Sequence, residues 1–131
     1  MLRVPSSLPD DLEELVHKTI GCCIAVHRVL GPGLLEEIYG RALGQELAAA
    51  GISFQREKPY PVTYRGVVLC QQYLDLVVAD QIVVELKSVE QLVPVNHAQL
   101  LSYLRVSRKR VGLLINFNVV VLKDGLHRKV L

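Results

Sequence analysis

The spacing of apolar residues along the chain changes from a helical to a strand period and back. Over residues 8–30, Leu12, Leu15, Val16, Thr19, Ile20, Cys23, Val26, Val29 and Leu30 recur every 3.6 residues, which predicts a helix with one face in the core. Asp10 suits its N-cap, with Glu13 and Glu14 in the first turn. Gly31-Pro32-Gly33 ends it, and a second helix follows at once. Leu34, Leu35, Ile38, Ala42, Leu43, Leu47 and Ala50 form its apolar face, and Gly51 fits a C-terminal cap. From Ile52 the pattern becomes that of strands. Phe54–Tyr64 alternates loosely, and Pro59 and Pro61 put it at a sheet edge or make it irregular. Arg65-Gly66 is a turn, and residues 67–71 lead into residues 73–87, two Val- and Ile-rich strands around Ala79-Asp80-Gln81. Residues 88–94 read as a polar connection and residues 96–106 as a helix with Leu100, Leu101 and Leu104 apolar. Residues 111–117 form a continuous apolar strand of the kind buried on both faces. Residues 119–122 and 126–131 are expected to make a last hairpin about Lys123-Asp124-Gly125.

Helix, helix, strands, helix, strand is the order of a mixed α/β or α+β layer fold. The strand–helix–strand unit over residues 82–117 implies a right-handed crossover between parallel strands, with its helix laid on the sheet. A chain of 131 residues is long enough for its own core, and no repeat or low-complexity tract divides it. Residues 1–9 are read as a flexible tail and residues 10–131 as one domain. Half the residues are hydrophobic, yet no run approaches the roughly 18 of a membrane span. The N-terminus also lacks a signal peptide's apolar region, so a soluble, cytoplasmic protein is expected.

Cys22, Cys23 and Cys70 are an odd set without metal-ligand spacing. Their apolar settings predict three buried thiols, and neither zinc, an iron–sulfur cluster nor a disulfide. His17 and His27 lack partners at ligand spacing and read as surface or interface histidines. A net charge of +2 excludes a polycation, so any nucleic-acid footprint must be local. The densest basic cluster is Arg105, Arg108, Lys109 and Arg110, which equally suits a solvated helix end. An apolar first helix and a terminal hairpin are compatible with a C2 homodimer.

Chemistry concentrates in residues 73–87, where Asp75, Glu85 and Lys87 interrupt an apolar run. Ionised groups in a half-buried hairpin cost several kcal/mol unless they are paired or hold a metal. Glu85 and Lys87, two apart, share a face. A three-residue loop Ala79-Asp80-Gln81 puts Asp75 opposite Glu85 on that face, with Gln81 as its left-handed residue. A two-residue turn at Asp80-Gln81 would pair Asp75 with Leu86 and send the carboxylates to opposite sides. Facing carboxylates repel when both are ionised, and Mg²⁺ removes the repulsion. Lys87 beside such an ion can position a water or neutralise a developing phosphorane. An ion pair of Lys87 with Glu85 or Asp75 on a solvated face is equally compatible with these three residues. Glu36, in a first turn, and Gln99 and Tyr103, one helical turn apart, are by themselves ordinary dipole-complementing and rim positions.

Together these residues resemble the PD-(D/E)xK nuclease superfamily, a restriction-endonuclease-like fold with a mixed sheet flanked by helices. Asp75 and Glu85-Leu86-Lys87 match its metal-binding signature. Gln99-Leu100-Leu101-Ser102-Tyr103 matches the Gln-x-x-x-Tyr motif of RecB-type members. Gly33-Leu34-Leu35-Glu36-Glu37-Ile38-Tyr39 matches the name motif of the small GxxExxY family within it. The proline that names the superfamily is missing, since Tyr73-Leu74 precedes Asp75. The resemblance implies a metal-dependent nuclease, with DNA the first expected substrate and RNA the second, or a catalytically silent nucleic-acid-binding or protein-interaction module on the same scaffold. It implies Mg²⁺ or Mn²⁺ held by Asp75, Glu85 and the Leu86 carbonyl, with Glu36 as auxiliary ligand. Lys87 would orient the attacking water, Gln99 and Tyr103 would fix the site or the substrate backbone, and Arg105 and Arg108 would contact substrate phosphates.

Overall fold

The computed structural model describes residues 6–131. Helix α1 (Asp10–Leu30) is entered from Pro9, whose carbonyl accepts the Glu13 N–H at 3.0 Å. Asp10 is therefore the first residue inside the helix and not its N-cap. A proline fixed at φ −57° already delivers the chain in the right direction. Asp10, Asp11 and Glu13 complement the positive end of the dipole. Leu12, Val16, Thr19, Cys23 and Val26 are buried as the spacing requires, whereas Val29 is exposed.

Helix α2 (Glu36–Ala49) buries Leu43 and Leu47 as its spacing predicts, with Leu34 and Ala42 packed beside them, but Tyr39 takes the core place expected of Leu35 and Ile38. Tyr39, Leu43 and Leu47 are buried with Gly40 and Gly44, while Leu35 is 73 % exposed and Ile38 and Ala50 also face outward. Tyr39 decides this exchange. Its ring stacks on Phe117 with centroids 4.4 Å apart, and its hydroxyl donates to the Gly31 carbonyl at 2.5 Å. The same hydroxyl accepts the Leu34 N–H at 3.2 Å. Gly44 then lets α2 settle on the Phe54 ring, which would lie 3.1 Å from a Cβ there. Tyr39→Phe keeps the stacking and loses both hydrogen bonds, so a stability loss of about 1–2 kcal/mol is expected in urea unfolding. An unchanged midpoint would show that the hydroxyl does not hold the 31–34 turn.

The sheet runs in the order β1 (Phe54–Tyr64), β2 (Val67–Val78), β3 (Ile82–Lys87), β4 (Val111–Asn116), β5 (Leu126–Val130). Only β3 and β4 are parallel, and helix α3 (Pro94–Ser107) connects them. The architecture is thus the mixed sheet flanked by helices that the motifs imply. Leu76, Val78, Val84, Leu86, Leu113, Ile115 and Phe117 pack with α1 and α2 on one face. Leu74, Val77, Val83 and Leu114 pack with Leu100 and Leu104 of α3 on the other. β4 is buried along its whole length. No helix among the described residues is long and apolar enough to cross a membrane.

Four expectations need correction. Helix α3 starts at Pro94, two residues early, because Asn96 works from within its first turn: its Oδ1 accepts the Val93 N–H at 2.9 Å. Residues 119–121 form no strand, so there is no last hairpin. A 3₁₀ turn (Leu122–Gly125) brings the chain back instead, and β5 pairs antiparallel with β4. Gly125 makes that return tight, since a Cβ there would collide with the Asn116 carbonyl. Cys22 and Cys23 are buried but Cys70 is exposed, because β2 extends far beyond the core. His27 is buried, its Nε2 2.8 Å from the Val119 carbonyl, while His17 is exposed.

The overhang arises because β2 pairs with β3 only from Leu76 to Val78. The remainder of β1 and β2 is a two-stranded ribbon closed by Arg65 and Gly66, both at positive φ. Residues 63–71 are all exposed. At its root Glu57 has a left-handed backbone (φ 51°), and the side of the sheet on which the strand's inward residues pack reverses there. Arg56 packs against α2, whereas Tyr60 joins the α3 side and Lys58 pairs with Asp80.

Candidate active site

The register of the β2–β3 hairpin places its charges. Val78 pairs with Ile82, Val77 with Val83 and Leu76 with Val84, leaving the three-residue loop Ala79-Asp80-Gln81. The left-handed residues are Ala79 (φ 50°) and Asp80 (φ 56°), not Gln81, whose N–H donates to the Val78 carbonyl at 2.9 Å. Two successive positive-φ residues inside a four-residue turn suit the right-handed twist of the flanking strands. Asp80 tolerates that conformation. It is tied to Lys109 Nζ at 3.0 Å, and this hydrogen bond and charge hold its carboxyl below the usual range.

Past Leu76 and Val84 the regular ladder stops, and side chains take its place. The Asp75 N–H donates to Glu85 Oε1 at 3.2 Å, and the Leu86 N–H donates to Asp75 Oδ2 at 2.9 Å. Each carboxylate thus satisfies the backbone of the opposite strand, and the two acids face each other as the three-residue loop requires. Glu85 is only 7 % exposed. Burial, and then the charge of Asp75, push its carboxyl up to about 8, against the pull of the Asp75 N–H and of Lys87.

Lys87 ends β3 half-buried, on the Glu85 face. Among the described residues no ion pair joins it to Asp75 or Glu85. The chain just after it is held by Asn116, its partner across β4. Asn116 Nδ2 donates to the Val89 carbonyl at 2.9 Å and its Oδ1 accepts the Val89 N–H at 3.1 Å. A buried amide satisfied on both sides fixes that loop.

Glu36 reaches the same place from α2. Its Oε1 accepts the Ser88 N–H at 3.3 Å, and the Ser88 hydroxyl donates to the Leu34 carbonyl. The start of α2 is thereby fastened to the end of β3. With Tyr39 anchoring the preceding turn and Gly33 at φ 98°, the spacing of Gly33, Glu36 and Tyr39 acquires a physical meaning: turn, ligand candidate, anchor. Glu36 and Asp75 line one cleft of about 230 Å³ with Glu37, Gly40, Arg56, Glu57, Leu76 and Leu86. A larger recess of about 620 Å³, between α1 and Arg128, shares no residue with it.

Tyr103 of α3 stands on the opposite side of the pair; burial, Glu85 and Asp75, in that order, raise its pKa. Gln99, one turn earlier, is exposed, and its side chain makes no hydrogen bond among the described residues. Arg105 and Arg108 are exposed at the end of α3 and do not line the cleft. Arg56, Glu57, Glu37 and Asn116 escaped the sequence reading. The one signal for the first three was the density of charge at residues 36–37 and 56–58.

The donors are all oxygen, which suits a hard divalent cation. Among the described residues no three His, Cys, Asp or Glu side chains converge as a ready cage. The fit rests on the opposed Asp75 and Glu85 carboxylates and on Glu36 across the cleft. A buried acid facing another acid is the electrostatic situation that a cation relieves.

Comparison with known proteins adds one finding. No curated protein and no solved structure matches the chain. A family model, that of the PD-(D/E)XK nuclease superfamily, matches residues 13–129. Its members generally use divalent metals such as Mg²⁺, and the superfamily's activity implies a nucleic-acid substrate. The match takes in the sheet and its three helices, save the first three residues of α1 and the last of β5, and with them the opposed Asp75 and Glu85, so the chain belongs to the PD-(D/E)XK nuclease superfamily.

Proposed function

We propose that this protein is a metal-dependent nuclease of the GxxExxY group that hydrolyses phosphodiester bonds in DNA. The observation that carries the reading is the opposed pair of Asp75 and Glu85, with Lys87 on the same face and unpaired to either. Asp75, Glu85, the Leu86 carbonyl and Glu36 would hold Mg²⁺ or Mn²⁺. Such an ion supplies an activated water and offsets charge on the phosphorane. Lys87 orients the attacking water and stabilises the negative charge that develops on phosphate oxygens. Tyr103 limits solvent on the α3 side of the carboxylates, and Gln99, Arg105 and Arg108 meet the substrate backbone farther along α3.

The test is cleavage of single- and double-stranded DNA and RNA with Mg²⁺ or Mn²⁺, beside an Asp75→Ala control. Divalent-dependent cleavage lost in the variant is the expected result, and it names the substrate. No cleavage together with no Mn²⁺ binding by calorimetry would instead leave a non-hydrolytic binding or interaction module.

A further inference from the structure

Arg56 lines the cleft beside Glu36 and Asp75, and no step above uses it. It is the only cation among the described residues that line the cleft, against the four carboxylates of Glu36, Glu37, Glu57 and Asp75. Its Nη2 donates to Glu37 Oε2 at 3.1 Å, and its side chain is 29 % exposed. Its Nε–H is shut off from water and has no acceptor among the described residues. A buried unpartnered donor costs about 1–3 kcal/mol, and more on a charged group. Such a group calls for a role.

Two features of the fold put it there. Gly40 has no side chain, and a Cβ at that position would stand 3.1 Å from Arg56 Nη2. The guanidinium passes over α2 through that gap. Glu57, with its left-handed backbone, separates Arg56 from Lys58. Without that reversal the two cations would share a face. As folded, Lys58 lies over the Tyr60 ring, and Arg56 alone enters the cleft.

We propose that Arg56 binds a non-bridging oxygen of the substrate phosphate next to the one being cleaved, through the Nη donors that Glu37 leaves open, while Glu37 and the packing of Nε over Gly40 hold the guanidinium in place. This rests on the nuclease reading for the class of substrate. A polyanion entering a cleft with four acids needs a fixed positive contact. A guanidinium held by one nitrogen, with further donors open, offers a planar fork for phosphate.

The test follows the arginine Nε–H signals by ¹H–¹⁵N NMR during titration with a short DNA oligonucleotide and its duplex, with Ca²⁺ present. The Arg56 signal is expected to shift to saturation. Arg56→Lys, which keeps the charge but lacks the fork, is expected to bind the oligonucleotide about tenfold more weakly. Its Mn²⁺ affinity by calorimetry should be unchanged. Gly40→Ala, which crowds the guanidinium, should weaken DNA binding in the same direction. Binding that leaves the Arg56 signal unmoved, or that Arg56→Lys matches, makes the residue a strut between β1 and α2 and overturns the proposal. A shift at Arg56 in a protein that neither binds Mn²⁺ nor cleaves would sustain the phosphate contact and refute the nuclease. No oligonucleotide binding at all would overturn both.

Discussion

Lys87→Ala is expected to lower cleavage by about two to three orders of magnitude while leaving the fold intact, the loss typical of removing one preorganised charge-stabilising donor. The size follows from what Lys87 is not doing. It makes no ion pair with either acid, so its ammonium is not committed to holding the hairpin. β3 is held by six pairings with β4, and the following loop by Asn116, neither of which needs the amine. Stability in urea should therefore change by no more than about 0.5–1 kcal/mol, the scale of a lost half-buried stem. Lys87→Arg keeps the charge in a larger, planar form and should recover only part of the rate. A Lys87→Ala protein cleaving within tenfold of wild type would remove this residue from the chemistry. One that fails to fold would show that its stem, not its charge, is what matters.

Glu85→Gln is expected to stabilise the metal-free protein, and to do so more strongly as pH rises. The folded-state pKa of Glu85 is raised from 4.5 to about 8. The native protein therefore keeps a proton that the unfolded chain releases, and this contribution is fully present below about pH 4.5. It is lost as pH climbs through about 8, amounting to several kcal/mol at the upper end. Glutamine preserves the acceptor for the Asp75 N–H and carries no charge to desolvate. Between pH 5 and pH 8 the wild-type Tm should fall relative to that of Glu85→Gln by on the order of 10 °C, measured with chelator present. Added Mn²⁺ should raise the wild-type Tm, more at pH 8 than at pH 6, because the cation competes with the proton. Glu85→Gln should lose that response. Parallel pH curves for the two proteins would show that Glu85 is not the strained acid its burial makes it.

The hairpin was legible because its strands combine period-two burial with charges at fixed offsets. Once Asp75 and Glu85 are required to share a face, only the three-residue loop remains. Which loop residues turn left-handed was not legible: Gln81 was the expectation, and Ala79 and Asp80 do it. Lys109, 29 residues away, helps to hold Asp80. The place of Tyr39 in the core face of α2 was hidden for a similar reason. Leu35 and Ile38 look like core until Tyr39 finds Phe117, a partner 78 positions later whose stacking outweighs two exposed aliphatic side chains. The false last hairpin came from Asp124-Gly125, a good turn signal used here to return β5 to β4. The left-handed backbone of Glu57 left no trace in the sequence, since a single such residue within a strand alters no pattern except the side on which its neighbours fall. Arg56 was missed with it.

The overhanging ribbon divides the molecule mechanically. Beyond Leu76 each strand of the ribbon has its hairpin mate as its only sheet neighbour, and two strands alone are marginal in water. Amide protons there should exchange with solvent long before those of β3 and β4, which open only with the whole protein. Asp75 sits on the border between these two regimes, and Glu85 lies wholly within the slow one. One carboxylate is fixed in the frame, and the other belongs to a strand that continues as a loose lever. Anything that grips the ribbon can therefore bear on the distance between them.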